Sequence, residues 1–457
     1  MIRQRARLVK WVRRSFFLPW ATGCRLFDDL TDNRARRGRR HTVESVVTMV
    51  LLALCMGKFS LMRMEDACQE MGSVVRRMCG VVGRISDNTF GRILARLRWQ
   101  ELQLRLWWQV RAFRERKQLE HDCLPIPTLA LDGKTAASGT KKMSRFAKRQ
   151  VHEDKDDSGE VTGTRTYYNL HLMRAVLTSC RQKLCVWQHP VRSKANEITG
   201  AKTMLRQLFK LDKGMHLFQL VTFDAMMMGY PLTLMISKAG RHWLSVLKDN
   251  QPDLLAAAQS WYRPMPDGIA EYTSGSVKDH HFRKVYRIWR TGHMAGWVTR
   301  EHTWMHLQQV WCVEVIRYVR ADNGRGKKAK LVEHDRTVRY CATSLPVGQF
   351  SAAQCLELVL SHWAIEDDCF NAVDVMWEED THKHFTTGEA TLNLSFLRMM
   401  AYNLVQMKRR KKEKTKTWDG KSVWETWDTT FSRFLVTLQQ YYPAQIVEQE
   451  RMLQTNN

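Results

Sequence analysis

The sequence predicts an α/β chain: a sheet-based core, a helical region ahead of it and a β-rich insertion within it. Three textures carry that prediction. Apolar residues recur at helical spacing through residues 1–120, strand-like runs alternate with helical ones through 121–250, and aromatic and β-branched segments take over through 251–345.

In the first region, residues 42–57, 60–71, 87–98 and 101–120 read as helices, separated by Gly57, Gly72, Gly80 and Gly83. Ser86-Asp87-Asn88 supplies an N-cap to the third of these, which is a candidate recognition helix. A helical cap with a solvated basic face is the alternative. From Leu124 the texture turns to β. Residues 127–132 form a short apolar run, and 167–179 and 183–190 are β-rich runs joined by a turn at Cys180-Arg181-Gln182. The Lys-, Ser-, Gly- and Asp-rich stretch 135–166 reads as a mobile loop. Helices at 196–211 and 230–239 alternate with strands at 216–224 and 243–247.

Between Asn250 and Leu345 the helical period is lost, and 281–290, 297–300, 310–319 and 338–342 read as strands. Residues 324–330 form a basic hairpin tip. Helix resumes at 351–372 and 390–408, and the remaining tail opens on the basic run Lys408-Arg-Arg-Lys-Lys412 and reads as helical over 418–457. The expected units are therefore 1–120, 121–250, 251–345, 346–410 and 411–457.

Lys and Arg number 72 against 46 Asp and Glu, a formal charge of +26. Such a balance calls for a polyanionic partner and argues against a neutral metabolic enzyme. The longest apolar run, 46–56, is too short to span a membrane, so nucleic acid is favoured over lipid. Residues 1–20 lack a secretory pattern, which leads us to expect a cytoplasmic protein whose eleven cysteines are reduced and hold no structural zinc.

Acids stand where chemistry on such a partner would need them. Asp132 closes Thr128-Leu-Ala-Leu-Asp, and Asp224 closes Phe218-Gln-Leu-Val-Thr-Phe-Asp. Each carboxylate is thus delivered to the exit of a buried strand, where sheet ligands gather. Glu366, in a helical segment, offers a third. Phosphodiester transfer needs an oxygen activated and another stabilised, which two Mg²⁺ ions ~3.5–4 Å apart achieve when carboxylates bridge and flank them. Taken singly, each Asp has the plainer reading of a turn cap. Lys134 and Lys248 lie near these strand ends as candidate phosphate contacts, and His362 shares a helix face with Glu366. Solvated lysines and a packing histidine are the alternatives.

An ordered series of motifs runs through the chain: Arg37-Gly-Arg-Arg-His41, Leu131-Asp-Gly-Lys134, Tyr168-Asn-Leu-His171, Lys194-Ala-Asn-Glu-Ile198, Phe223-Asp-Ala-Met226, Leu247-Lys-Asp-Asn-Gln251, His362-Trp-Ala-Ile-Glu366 and Asp374-Val-Met-Trp-Glu-Glu-Asp380. The series resembles bacterial insertion-sequence DDE transposases, in the group that includes the H-repeat-associated proteins, over most of the chain. The resemblance implies a ribonuclease-H-like mixed-sheet catalytic core with a β insertion ahead of the helix that carries Glu366. It also implies Asp132, Asp224 and Glu366 as ligands of two Mg²⁺ ions, with Mn²⁺ able to substitute.

The implied partners are double-stranded DNA, both terminal inverted repeats and target, and a second copy of the chain on paired ends. No membrane is involved, and the setting is a bacterial nucleoid. Arg37, Arg39, Arg40, Lys134, Lys248 and His362 are the candidate DNA contacts. Two departures concern the grip on substrate. Where related transposases carry an Arg and a Lys flanking the Glu, this chain has His362 and Val373, and Asp367 and Phe370-Asn371 replace an Asn and a His-Trp pair. The expected function is cut-and-paste strand cleavage and transfer. The alternatives are a catalytically idle DNA-binding regulator and a nuclease without strand transfer.

Overall fold

The computed structural model describes residues 26–436 except 36, 38, 82, 122, 192–196, 264–269, 280–281, 299–302, 322–329, 381–387, 410, 417–421 and 425–426. It is mixed α/β, built on one large mixed sheet. Helices α1 (Val43–Cys55), α2 (Leu61–Glu70), α3 (Ser73–Met78), α4 (Asp87–Arg96) and α5 (Trp99–Glu115) come first. Thr42, Ser60 and Ser86 cap α1, α2 and α4 by accepting backbone N–H groups three residues on.

The sheet strands follow: β1 (Thr128–Gly139), β2 (Lys148–Lys155), β3 (Val161–Leu177) and β4 (Cys185–Val191). After α6 (Glu197–Leu211) come β5 (Leu220–Phe223), α7 (Tyr230–Lys238), β6 (His242–Val246) and α8 (Pro252–Tyr262). Next are β7 (Tyr272–Thr273), β8 (Val277–Asp279), β9 (Phe282–Thr291), β10 (Gln309–Ala321) and β11 (Lys330–Thr343). Helix α9 (Ala352–Ser361), a π-helical turn at Ile365–Phe370, α10 (Asn371–Trp377) and α11 (Ala390–Gln406) close the core. A hairpin of β12 (Lys411–Lys416) and β13 (Ser422–Trp424) and helix α12 (Trp427–Val436) end the described chain.

Strands run in the order β2-β3-β1-β5-β6-β11-β10-β9-β7, with β4 on β3 and β8 on β9. β1, β5 and β6 are parallel neighbours, whereas β1 pairs antiparallel with β3 and β6 antiparallel with β11. The strands of 272–343 therefore extend the same sheet through the β6–β11 ladder. Helix α11 is buried along its whole length, packed on α1, α4, α5 and β4, because helices cover it on one side and the sheet on the other. Asn393 on α11 donates to the carbonyls of Leu94 and Leu97, and Trp377 donates to that of Leu54, fastening the N-terminal helices to the core.

Four expectations change. The stretch 135–166 is an extended ribbon of β1, β2 and β3, its polarity reflecting the exposed residues of β2 and the first part of β3. Helix α8 interrupts the region read as free of helix, with Pro252 and Asp253 in its first turn. The helix predicted over 351–372 is broken by the π turn, and the tail begins with a strand. Calls at 1–20, 194–196, 324–329 and 437–457 lie outside the described residues. Among the described residues, no helix is long and apolar enough to cross a membrane.

Candidate active site

The apolar run Thr128–Leu131 is fully buried because β1 sits between β3 and β5 in the middle of the sheet. Burial gives out at Asp132. The parallel β1–β5 register pairs Leu131 with Phe223, so the next residue on each strand is the carboxylate, Asp132 on one and Asp224 on the other. The two acids thus leave adjacent strands at the same level. Asp132 Oδ1 accepts the Gly133 N–H at 2.7 Å, and Asp224 Oδ1 accepts the Ala225 N–H at 2.6 Å as the cap of a short 3₁₀ turn.

Glu366 is exposed on the π-helical turn, flanked by buried Ile365 and by Cys369 and Phe370. A single π turn inside a helical run occurs often at functional sites. This turn packs against β1. Burial, outweighing the hydrogen bond from Gly133, pushes the Asp132 carboxyl up to about 7, and the negative charges of Glu366, Glu197 and Asp224 add to the rise. Glu366 is likewise raised, first by partial desolvation and then by Asp367 and Asp224, against the charge of Lys248. Lys248 Nζ stands 3.7 Å from Asp224 Oδ1. The three acids are therefore one electrostatic group. Among the described residues, no three His, Cys, Asp or Glu side chains converge tightly enough to cage an ion by themselves.

A fourth carboxylate stands beside this group. His171 Nε2 on β3 lies 2.6 Å from Glu197 Oε1, at the first turn of α6, and both are buried. A Cβ at residue 133 would stand 2.4 Å from that oxygen and 2.7 Å from that nitrogen, which explains why Gly follows Asp132. Both residues belong to motifs read in the sequence, but their pairing could not be seen there.

The remaining candidates divide by environment. Lys248 is exposed at the cleft edge, and Arg37, Arg39 and Arg40 are exposed in the segment before α1, with Arg39 ion-paired to Asp32. Lys134 is only 10% exposed and pairs with Asp374 on α10. His362 is buried, with Nδ1 3.1 Å from Thr222 Oγ1 on β5, and burial pushes its pKa down to about 4, outweighing the attraction of Asp224. It is a buried group packed against β5, the strand that leads into Asp224.

A cavity of about 450 Å³ reaches the π turn at Asp367, the residue after Glu366. Lys284, Tyr286, Arg317, Arg339, Trp363 and Asp367 line it, and the Arg339 guanidinium lies 4.6 Å from the Trp363 ring centre. Neither this cavity nor its link to Glu366 was read from the sequence. Its lining comes from β8, β9, β10, β11, the end of α9 and the segment after it, which meet only in the folded sheet.

Residues 24–108 match the family model described as DDE_Tnp_1-associated. An "Uncharacterized protein in dhlA 3'region" from Xanthobacter autotrophicus is 24% identical over 304 residues, covering 66% of this chain and 90% of that protein.

Proposed function

We propose, from the premise that the domain at residues 24–108 indicates a DDE-type transposase family, that this chain is an active transposase that cuts and joins DNA at the ends of an insertion sequence. The observation that carries the reading is the parallel register that brings Asp132 and Asp224 out together, electrostatically coupled to Glu366. Three coupled carboxylates weaken phosphate binding in an otherwise basic chain, so binding alone gives them no purpose.

The donor set fits hard divalent cations. Its oxygens come from acids that act on one another electrostatically, a grouping that a divalent cation would relieve, and shared ions completed by water and phosphate need no closed protein cage. In this reading Asp132, Asp224 and Glu366 hold two Mg²⁺ ions, with Mn²⁺ able to substitute, within a ribonuclease-H-like core. When bound, the ions activate the attacking oxygen and neutralise the leaving one.

The chain's own residues do the rest. Lys248 offsets charge at Asp224, and the Lys284, Arg317 and Arg339 wall of the neighbouring cavity lies where a DNA strand approaching Glu366 would pass. Arg37, Arg39 and Arg40 would contact the DNA ends. Water attacks a phosphorus, the bond to the 3′ oxygen breaks, and that oxygen takes a proton. The freed 3′ hydroxyl then attacks a target phosphodiester, joining to its 5′ phosphate and releasing a target 3′ hydroxyl. Two protomers on paired ends are expected, in a bacterial nucleoid.

The test is strand joining. Duplexes that end in a free 3′ hydroxyl at the element's terminus are incubated with supercoiled target and Mg²⁺. Joined products support the reading, cutting without joining points to a nuclease, and binding without either points to a regulator.

A further inference from the structure

We infer that Phe370, held by Lys134 and Arg174, is a lock that sets the position of Glu366 relative to Asp132. This rests on the reading of Glu366 and Asp132 as metal-holding groups.

In the β1–β3 ladder Asp132 stands opposite Arg174, and Lys134 lies two residues further along β1. Alternate residues of a strand, and residues directly opposite across a ladder, share a face, so these three side chains belong to one face of the sheet. Phe370 ends the π turn that bears Glu366 and is buried on that face. Its ring centre lies 5.7 Å from Lys134 Nζ and 5.5 Å from the Arg174 guanidinium carbon. Both distances suit cation–π attraction, which strengthens where water is excluded.

Each cation is also tied to the segment that follows Glu366. Lys134 pairs with Asp374 on α10. Arg174, fully buried, donates through Nη2 to both oxygens of Glu379 at 2.7 Å and through Nε to Gln188 at 2.8 Å, while Ser395 donates to Glu379 at 2.7 Å. A buried charge pair of this kind resists sliding, because displacement leaves an uncompensated ion. Residues 370, 374 and 379 are therefore pinned to the two strands that frame Asp132. A π turn interrupts the regular i→i−4 ladder, so these side-chain ties add to what fixes its place. Phe370, Lys134 and Arg174 act through Glu366 and are positioning residues.

The test uses the full-length protein with Phe370→Leu, Lys134→Met, the double variant and Glu366→Gln. Amide hydrogen exchange reads residues 365–371, and Mn²⁺ titration without DNA reads the site. Each single change is expected to speed exchange across 365–371 more than elsewhere in the core and to weaken Mn²⁺ binding by roughly threefold to tenfold, with some fall in melting temperature because Lys134→Met leaves Asp374 without its partner and Phe370→Leu thins the core. Because both remove one shared contact, the double variant should fall short of the product of the single effects. Unchanged exchange at 365–371, or fully multiplicative effects, would overturn the lock. If Glu366→Gln binds Mn²⁺ and cuts DNA as wild type does, the functional reading fails, and with it the role of the lock in holding metal, whatever the exchange shows.

Discussion

Lys248 Nζ reaches within 3.7 Å of Asp224 Oδ1 across the ends of two parallel strands, and its charge lowers Glu366. Its side chain is 61% exposed, so the contact stabilises the fold little and acts mainly on charge within the cleft. Lys248→Ala should raise Glu366 further. The acid limb of a cleavage-rate profile should then move to higher pH, with little change in melting temperature. An unmoved limb would separate Lys248 from the site.

Asp132 carries a stability consequence of definite sign. Its carboxyl is raised in the folded chain from 3.8 to about 7. The protonated form therefore favours folding. That contribution is complete below about 4 and is lost as pH rises through about 7. Without metal, Asp132→Asn should melt about 2–4 °C above wild type at pH 8 and match it near pH 4. Mg²⁺ binding to the wild type should weaken as pH falls below about 7, since a proton competes for the same oxygens. Calorimetry at several pH values checks both.

Gly133→Ala places a methyl group against the His171–Glu197 pair, at 2.4 Å from Glu197 Oε1. The neighbours are buried on rigid elements, so overpacking should cost about 1–3 kcal/mol. Because residue 133 follows Asp132, cleavage should fall further than stability alone accounts for. Thermal melting and single-turnover cleavage on one preparation compare the two losses.

Arg339 lies over Trp363 in the cavity that Asp367 also lines. If a DNA strand runs there, Arg339→Gln should weaken binding of every duplex by a similar factor. The slope of log affinity against log salt should shrink by about one. An unchanged slope would place the DNA elsewhere.

The legible parts of the site were those written in continuous stretches. Leu129–Leu131 and Leu220–Phe223 are buried on both faces of the central sheet and read as apolar runs closing on an acid, so Asp132 and Asp224 stood out. Glu366 was legible only through its motif, since a π turn leaves no distinct hydrophobic period. The ribbon of β2 and the first part of β3 was taken for a loop because these residues are exposed, and backbone ladders leave no mark in hydropathy. Pro252 and Asp253 stand in the first turn of α8, a start signal that the reading of 250–345 as β-rich passed over. Arg174 and Glu379 lie 205 residues apart, and no local pattern reveals that two buried ions meet.

The most direct test is cleavage of linear DNA carrying the element's ends, with Mg²⁺ present or chelated, by wild type and Asp224→Ala. Cutting at the ends only by wild type and only with metal, while both proteins bind the DNA, is the expected result. Equal cutting by Asp224→Ala, or wild type that binds the ends and never cuts, would contradict the assignment of the acids.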